Sequence, residues 1–271
     1  MSKATTGKAD AKSYFAAIAI PVAFVVSVLL FMFVLGNPAN FEDGDPVKGH
    51  PIDGNLLGTV YKGGFIVPIL ITVNLVILIF TIERFLTIAR AKGKGNLQSF
   101  IARVRQMIAG SQLDAAIAEC DKQQGSLANV LRSGLVKYKQ VENDNTLDKE
   151  AKIAAIQKDL EEATTLELPM LSKNLVILST CASISTLIGL IGTVLGMIKS
   201  FAALAQAGAP DAVALSTGIS EALINTALGI IGSTIAIIMY NYFSNRIDTL
   251  TYGIDEAGFS LVQTFNASHN K

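Results

Sequence analysis

Two apolar segments near the C-terminus constrain the fold of this chain more than any other feature. Residues 174–198 contain no charge over 25 positions, and residues 222–243 contain none over 22. At a rise of 1.5 Å per residue, either segment forms a helix long enough to cross a hydrocarbon core about 30 Å thick. Both segments are also rich in Gly, Ser, Thr and Asn, which a helix surrounded only by lipid does not need. The pattern indicates a multi-subunit conduit rather than a lipid anchor.

The low charge content extends this interpretation to the whole chain. Of its 271 residues, 51% are hydrophobic and only 16% are charged, whereas soluble domains carry about 25% charged residues. Two further apolar runs lie at 14–35 and 63–82. Basic and acidic residues balance at 22 each, so nothing favours a nucleic acid as partner. We expect an all-α, polytopic membrane protein with four transmembrane helices and a helical cytoplasmic domain.

Basic residues orient these helices. Arg90, Lys92, Lys94, Arg103 and Arg105 follow the second apolar run, and the positive-inside rule assigns them to the cytoplasm, together with both chain termini. The first apolar run exceeds the 7–15 residues of a signal-peptide core, so we expect it to be retained, with a cleaved signal peptide as the alternative. The predicted segments are a cytoplasmic N-terminus (1–12), a first transmembrane helix (13–36), an irregular outer loop (37–63), a second transmembrane helix (64–86), a cytoplasmic helical domain (87–172), a third transmembrane helix (173–200), an outer linker (201–216), a fourth transmembrane helix (217–244) and a cytoplasmic C-terminal helix (245–271).

Small and polar residues recur at helical spacing in the third and fourth transmembrane helices. Gly192 and Gly196 form a small-xxx-small pair that permits close contact between backbones. A stripe of hydroxyls (Ser179, Ser183, Thr186 and Thr193) either bonds to its own helix and its neighbours or lines a wet path. On the fourth helix, one face combines Thr217, Glu221, Asn225, Gly229 and Gly232. Glu221 either faces a protein interior or lies solvated at the outer end of its helix.

Two motifs in these helices resemble the MotA/TolQ/ExbB proton channel family. Residues 189–196, Gly-Leu-Ile-Gly-Thr-Val-Leu-Gly, are similar to its Gly-Leu-x-Gly-Thr-Val-x-Gly signature. Residues 218–229 are similar to its Gly-Ile-x-Glu-Ala-Leu-x-x-Thr-Ala-x-Gly block. The resemblance covers about 64–265 and is closest to the ExbB/TolQ branch. It implies a bacterial inner-membrane protein whose outer segments face the periplasm.

The resemblance also implies partners and site residues. A homopentamer would surround the paired transmembrane helices of a partner of the ExbD/TolR type, whose aspartate takes and releases protons, and a TonB-like protein could join the assembly. The expected ion pathway comprises Thr226, Glu221, Asn225, Ser183 and Ser185. The expected packing residues are Gly189, Gly192, Gly196, Gly229 and Gly232. No cofactor and no metal are expected.

Two departures from the family pattern bear on this expectation. The family often has a pore threonine five residues before its first signature glycine, where this chain has Ile184, so either Ser183 or Ser185 substitutes or the pore has one hydroxyl fewer. The ExbB/TolQ branch usually has three spans, so the extra first helix is expected to pack outside the ring.

Three functions compete for this sequence. A proton-driven motor subunit explains both motifs, whereas a non-conducting membrane scaffold explains the small residues but not Glu221 or Thr226. An enzyme is not expected, because the predicted spans contain no His, and the sequence has no HExxH or GxSxG motif. Sodium as the driving ion stays open, since hydroxyl oxygens could also contribute to a sodium site.

Overall fold

The computed structural model describes residues 15–47, 49–142, 144, 146–205 and 212–268. The predictions for residues 1–12, for the first two residues of the first span, for residues 206–211 of the outer linker and for residues 269–271 therefore lie outside the described residues. Among the described residues, four helices are long and apolar enough to cross a membrane, and no β-strand forms beyond an isolated bridge between Phe41 and Pro51. The predicted all-α membrane fold with four long apolar helices is confirmed.

The helices are named in chain order. They are α1 (Phe15–Leu29), continued by π-helical turns at Leu30–Leu35, α2 (Leu56–Tyr61), α3 (Ile66–Lys92), α4 (Leu97–Ala109), α5 (Leu113–Gln123), α6 (Ser126–Glu142), α7 (Lys149–Ser172), α8 (Leu175–Ala205) and α9 (Ala212–Ser268). Short 3-10 turns lie at Pro38–Asn40 and Glu42–Gly44. The chain divides into an apolar unit, residues 1–82 and 176–240, and a polar unit, residues 83–175 and 241–271.

In the apolar unit, α1 packs against α3 through aromatic rings and one pair of hydroxyls. The rings of Phe15 and Phe80 meet edge to face, with centroids 5.6 Å apart. The hydroxyl oxygens of Ser27 and Thr72 lie 2.6 Å apart, and both residues are buried. Most other large side chains of α1 are exposed, as expected for a helix that borders lipid.

The loop between the first two apolar helices, predicted at 37–63, is more ordered than the irregular segment that its Pro and Gly content predicts. The Asn40 amide donates to the carbonyl oxygens of Val34 and Leu35, which the end of the π-helical turns leaves without intrahelical donors. Asn55 caps α2 by accepting from the backbone of Leu57 and Gly58. The ammonium of Lys62 donates to the carbonyl oxygens of Pro46 and Val47, and burial lowers the pKa of this lysine.

The polar unit has its own hydrophobic core. Amphipathic helices α4 to α7 and the last third of α9 bury a continuous cluster that includes Phe100, Leu131, Ile156, Leu261 and Phe265. The rings of Tyr138 and Phe265 meet edge to face within it, 4.7 Å apart. Its charged residues pair on the surface, as in the contact of Arg103 with Glu119 at 2.8 Å, which contributes little to stability.

Candidate functional site

Glycines bring the backbones of α8 and α9 into direct contact. A Cβ atom placed on Gly189 would lie 3.0 Å from the carbonyl oxygen of Asn225 and 3.2 Å from the Cα of Gly229. A Cβ on Gly229 would lie 2.7 Å from the carbonyl oxygen of Ser185, and one on Gly196 would lie 2.7 Å from that of Gly218. Because each neighbour is backbone, it cannot rotate away as a side chain would. Only hydrogen fits between the helices at these positions.

The other two predicted packing glycines border polar side chains. Gly192 lies against the side chain of Asn225. Gly232 faces Ser185 and the side chain of Asn74 on α3, whose Oδ1 would be 2.9 Å from a Cβ at that glycine. The structure therefore places all five glycines of the predicted set where α9 packs against α8, with α3 beside them at Gly232.

Asn225 lies inside the apolar unit. It is fully buried, and its amide nitrogen donates to the carbonyl oxygen of Gly63 at 2.9 Å. Its Oδ1 has no hydrogen-bond partner among the described residues. This arrangement joins α9 to the segment just before α3.

Glu221 pairs with a lysine that the sequence did not connect with it. The ammonium nitrogen of Lys199, on α8, lies 2.8 and 2.9 Å from the two carboxylate oxygens of Glu221. The Glu221 side chain is 7% exposed, whereas that of Lys199 is 54% exposed. The sequence left two environments open for Glu221, and in the structure its side chain lies in the protein interior. The half-exposed Lys199 is the partner that reaches from Glu221 to the surface.

The two candidate replacements for the missing pore threonine occupy different surfaces. Ser185 is fully buried against Gly232, and its hydroxyl has no hydrogen-bond partner among the described residues. Ser183 and Ile184 are exposed on the surface of the apolar unit. The structure therefore separates Ser183 from Ser185 and leaves the side chain at position 184 on the outside of the apolar unit.

Thr226 is half-buried beside the glycine contact. Its hydroxyl donates to the carbonyl oxygen of Ala222 at 3.2 Å, and the hydroxyl of Thr193 donates to that of Leu190 at 2.7 Å. Both bonds stay within their own helix, as in the simpler interpretation of the hydroxyl stripe. A hydroxyl that donates to its helix keeps lone pairs with which it can accept a hydrogen bond from water or from a carboxylic acid.

Sequence reasoning considered Lys199 only at the outer mouth or extended to the membrane interface and did not pair it with Glu221. It also did not find Gly63, which accepts from Asn225, or Gly64, which lies against the Glu221 carboxylate. Lys199 has the length of a residue that extends to the membrane surface, and 22 positions separate it from Glu221. The two glycines sit in a loop whose sequence carries no motif. Only the charge of Lys199 near the end of an apolar segment could have suggested a partner for a membrane carboxylate. Among the described residues, no group of three or more His, Cys, Asp or Glu could hold a metal ion.

Comparison with known proteins agrees with the two motifs. Residues 122–256, which include both, match the MotA/TolQ/ExbB proton channel family. The Tol-Pal system protein TolQ of Pseudomonas aeruginosa is 32% identical over 121 residues, 45% of this chain and 52% of that protein. TolQ of Haemophilus influenzae is 34% identical over 127 residues, 45% of this chain and 56% of that protein.

A third relative is an ExbB protein, whereas the first two are TolQ proteins. The biopolymer transport protein ExbB of Pseudomonas putida is 29% identical over 148 residues, 54% of this chain and 45% of that protein. The chain thus spans about half the length of the curated relatives it matches. The two motifs, the matched region and these relatives show that the chain belongs to the MotA/TolQ/ExbB proton channel family, on its ExbB/TolQ branch.

Proposed function

We propose that this protein is the channel subunit of a proton-driven motor in a bacterial inner membrane. Several copies, five by family resemblance, form a ring around a dimer of single-span partners of the ExbD/TolR type. Both chain termini lie in the cytoplasm, and the motor powers transport or force transmission across the envelope. Relatives named for the Tol-Pal system and for biopolymer transport support this class of process.

The observation that supports the proposal best is the environment of the Thr226 hydroxyl. This hydroxyl lies five residues, about one and a half turns, from a buried carboxylate, on a helix that is charge-free from 222 to 243, and beside the glycine contact with α8. A polar group is expensive in hydrocarbon unless it is paired or faces water. The half-exposed Thr226 can serve a wet pathway because it can both donate and accept, without a fixed charge.

The partner supplies the group that changes charge in this proposal. A carboxyl group on its helix would load a proton from the outer side, accept or donate a hydrogen bond at Thr226, and release the proton inward. Ser183 lies on an exposed surface of α8 from which it could face that pathway in the ring. Ser185 and Asn225 would act behind the pathway, where they fix the helices that line it.

The experiment measures proton flux into liposomes that contain this protein with its co-purified single-span partner. Thr226→Val keeps the side-chain volume and removes the hydroxyl, and we expect it to lower flux at least about tenfold, as loss of one specific hydrogen-bonding group can do. Thr180→Val is the matched control. Like Thr226, Thr180 donates to a carbonyl oxygen of its own helix, that of Val176 at 2.8 Å, but it lies outside both motifs.

The alternative outcomes separate the competing functions. If the wild-type complex conducts no protons under an imposed potential, the scaffold function replaces the motor. If flux requires sodium instead of protons, the proposed driving ion is wrong, but the proposed channel function is still supported. Equal flux in wild type and in Thr226→Val would remove Thr226 from the pathway.

A further inference from the structure

The carboxylate of Glu221 lies between a glycine on one side and a single counter-ion on the other. Gly64, at φ +77°, packs directly against Oε1, and a Cβ at that glycine would lie 3.0 Å from the carboxyl carbon. This side of Glu221 therefore has no room for another ligand. The ammonium of Lys199 occupies the other side, within 2.9 Å of both oxygens.

Other charged and polar groups near Glu221 are engaged elsewhere. Lys62 precedes Gly64 by two residues, but its ammonium donates to the carbonyl oxygens of Pro46 and Val47 at 3.1 and 3.0 Å. The amide of Asn225, one turn along α9, donates to Gly63. Within the described part of the chain, the only salt bridge of Glu221 is the one with Lys199.

A buried carboxylate without a counter-ion is unfavourable and becomes neutral by taking up a proton. A paired carboxylate stays ionised, because the cation is attracted more strongly where water is scarce. Lys199 can supply this charge from α8 because its long side chain reaches the buried pair while remaining 54% exposed. The geometry thus joins a fixed anion on α9 to a fixed cation on α8.

We propose that Lys199 is the positioning residue of Glu221 and holds its carboxylate in an ion pair, so that Glu221 is not a loading site for the transported ion. Both of its oxygens already accept from one ammonium group, so binding a proton would abolish the ion pair with Lys199, and a sodium ion would have to compete with that ammonium. The part of this proposal that concerns transport rests on the proposed function, but the ion pair itself does not.

A carbodiimide that reacts with protonated carboxyl groups tests the ion pair in the full-length protein. Samples in lipid nanodiscs are treated with dicyclohexylcarbodiimide near neutral pH, and modification of Glu221 is quantified by mass spectrometry. We expect wild type to be protected and Lys199→Met to be modified at least about tenfold more, the effect of removing a cation in contact with a carboxylate. Lys199→Arg should restore protection, because its guanidinium can bind both oxygens.

Equal modification of Glu221 in wild type and Lys199→Met would overturn the proposal, whether both react or neither does. Glu221→Gln identifies the modified peptide by its absence. Reaction of the acid-unfolded protein shows that the reagent and the digest detect Glu221 once it is protonated and accessible.

Proton flux then tests the consequence for transport. A fixed pair predicts that Lys199→Met with Glu221→Gln conducts better than Lys199→Met alone, since the double variant has no unpaired charge. An ion-loading Glu221 predicts that the double variant is as inactive as Glu221→Gln, which would overturn the transport part. If wild type itself conducts no protons, the proposed function fails, and the carbodiimide result alone decides the ion pair.

Discussion

The side-chain amide of Asn225 donates a hydrogen bond of 2.9 Å to the carbonyl oxygen of Gly63, which lies 162 residues earlier in the chain. The first turn before α3 does not use this carbonyl, because the backbone nitrogen of Val67 bonds to Gly64 instead. A buried carbonyl needs a donor, and in lipid no water replaces it. The bond therefore fixes α9 at the residue that begins the glycine pair beside Glu221.

Replacement of Asn225 by Leu should destabilise the apolar unit. The Gly63 carbonyl would lose its donor, and hydrogen bonds between membrane helices are worth about 0.6 to 1.7 kcal/mol, so we expect a loss of about 1 kcal/mol. The change in stability is measured by thermal unfolding in detergent, with the loss of soluble protein as the readout. Asn241→Leu is the matched control, because Asn241 lies on the exposed surface of the same helix; an equal loss in the control would contradict a specific role for the Gly63 bond.

Replacement of Gly196 by Ala should separate α8 from α9. The new Cβ would lie 2.7 Å from the carbonyl oxygen of Gly218 and 2.8 Å from the backbone nitrogen of Ala222, so backbone must move. Overpacking of this kind typically costs about 1–3 kcal/mol.

The control for this prediction is Gly258→Ala on α9, in the polar unit. Its nearest contact would be Leu160 Cδ1 at 3.6 Å, an ordinary van der Waals distance. Because Ala is the better helix former, this variant should gain about 0.5–1 kcal/mol. Thermal unfolding of both variants checks the contrast, and similar behaviour of the two would show that the α8–α9 contact tolerates a methyl group.

Local pattern was enough to predict the four apolar helices, because the length of an apolar run and the bilayer thickness decide that question together. The glycine contact was also accessible, since Gly192 and Gly196 follow a local spacing rule. The partners of Glu221 and Asn225 were not, because nothing local to positions 199 or 63 encodes which helix lies opposite. The side of α8 on which Ser183 and Ser185 lie required the packed structure as well: adjacent hydroxyls look equivalent in sequence, and only the position of Gly232 distinguishes them.

Replacement of Arg84 should strongly destabilise the polar unit. This residue is 2% exposed, donates to both carboxylate oxygens of Glu83 at 2.6 Å, and donates to the carbonyl oxygen of Leu171 at 3.0 Å. Arg84→Met would leave the half-buried carboxylate of Glu83 without its cation, with the Thr87 hydroxyl still donating to it, and would leave the Leu171 carbonyl without this donor. Removal of one partner costs about 3–5 kcal/mol where an ion pair is fully buried.

Arg84→Lys separates charge from geometry in this prediction. It keeps the charge but not the planar fork, so we expect intermediate stability. Resistance to proteolysis and the thermal midpoint are the measurements. Wild-type stability in Arg84→Met would show that neither Glu83 nor the Leu171 carbonyl depends on the guanidinium.

Cys120 should be unreactive in the folded protein. It is 2% exposed in the core of the polar unit, and burial, with Asp121 and Glu119 nearby, raises the pKa of its thiol from 9.0 to about 12. Since the thiolate is the reactive form, its population near pH 8 falls roughly a thousandfold. Maleimide labelling of a Cys181→Ala variant, with and without denaturant, measures this protection, and rapid labelling of the native state would contradict it.

The same thiol makes stability depend on pH in one direction. Between pH 9 and about 12, the unfolded thiol loses its proton while the folded one keeps it, so the unfolded state binds fewer protons and stability falls as pH rises. Below pH 9 this contribution is fully present. We expect Cys120→Ala to reduce the alkaline slope of the unfolding free energy by at most about 1.4 kcal/mol per pH unit.

The hydroxyl pair of Ser27 and Thr72 gives the first helix a defined rotational setting. Leucines and valines can slide past one another in lipid with little change in energy, but two buried hydroxyls 2.6 Å apart meet in only one register. A helix that served only to tether the chain would gain nothing from such a match. The hydrogen bond therefore fixes the rotation of α1 relative to α3. Any rotation of α3 would have to turn α1 with it or break this bond.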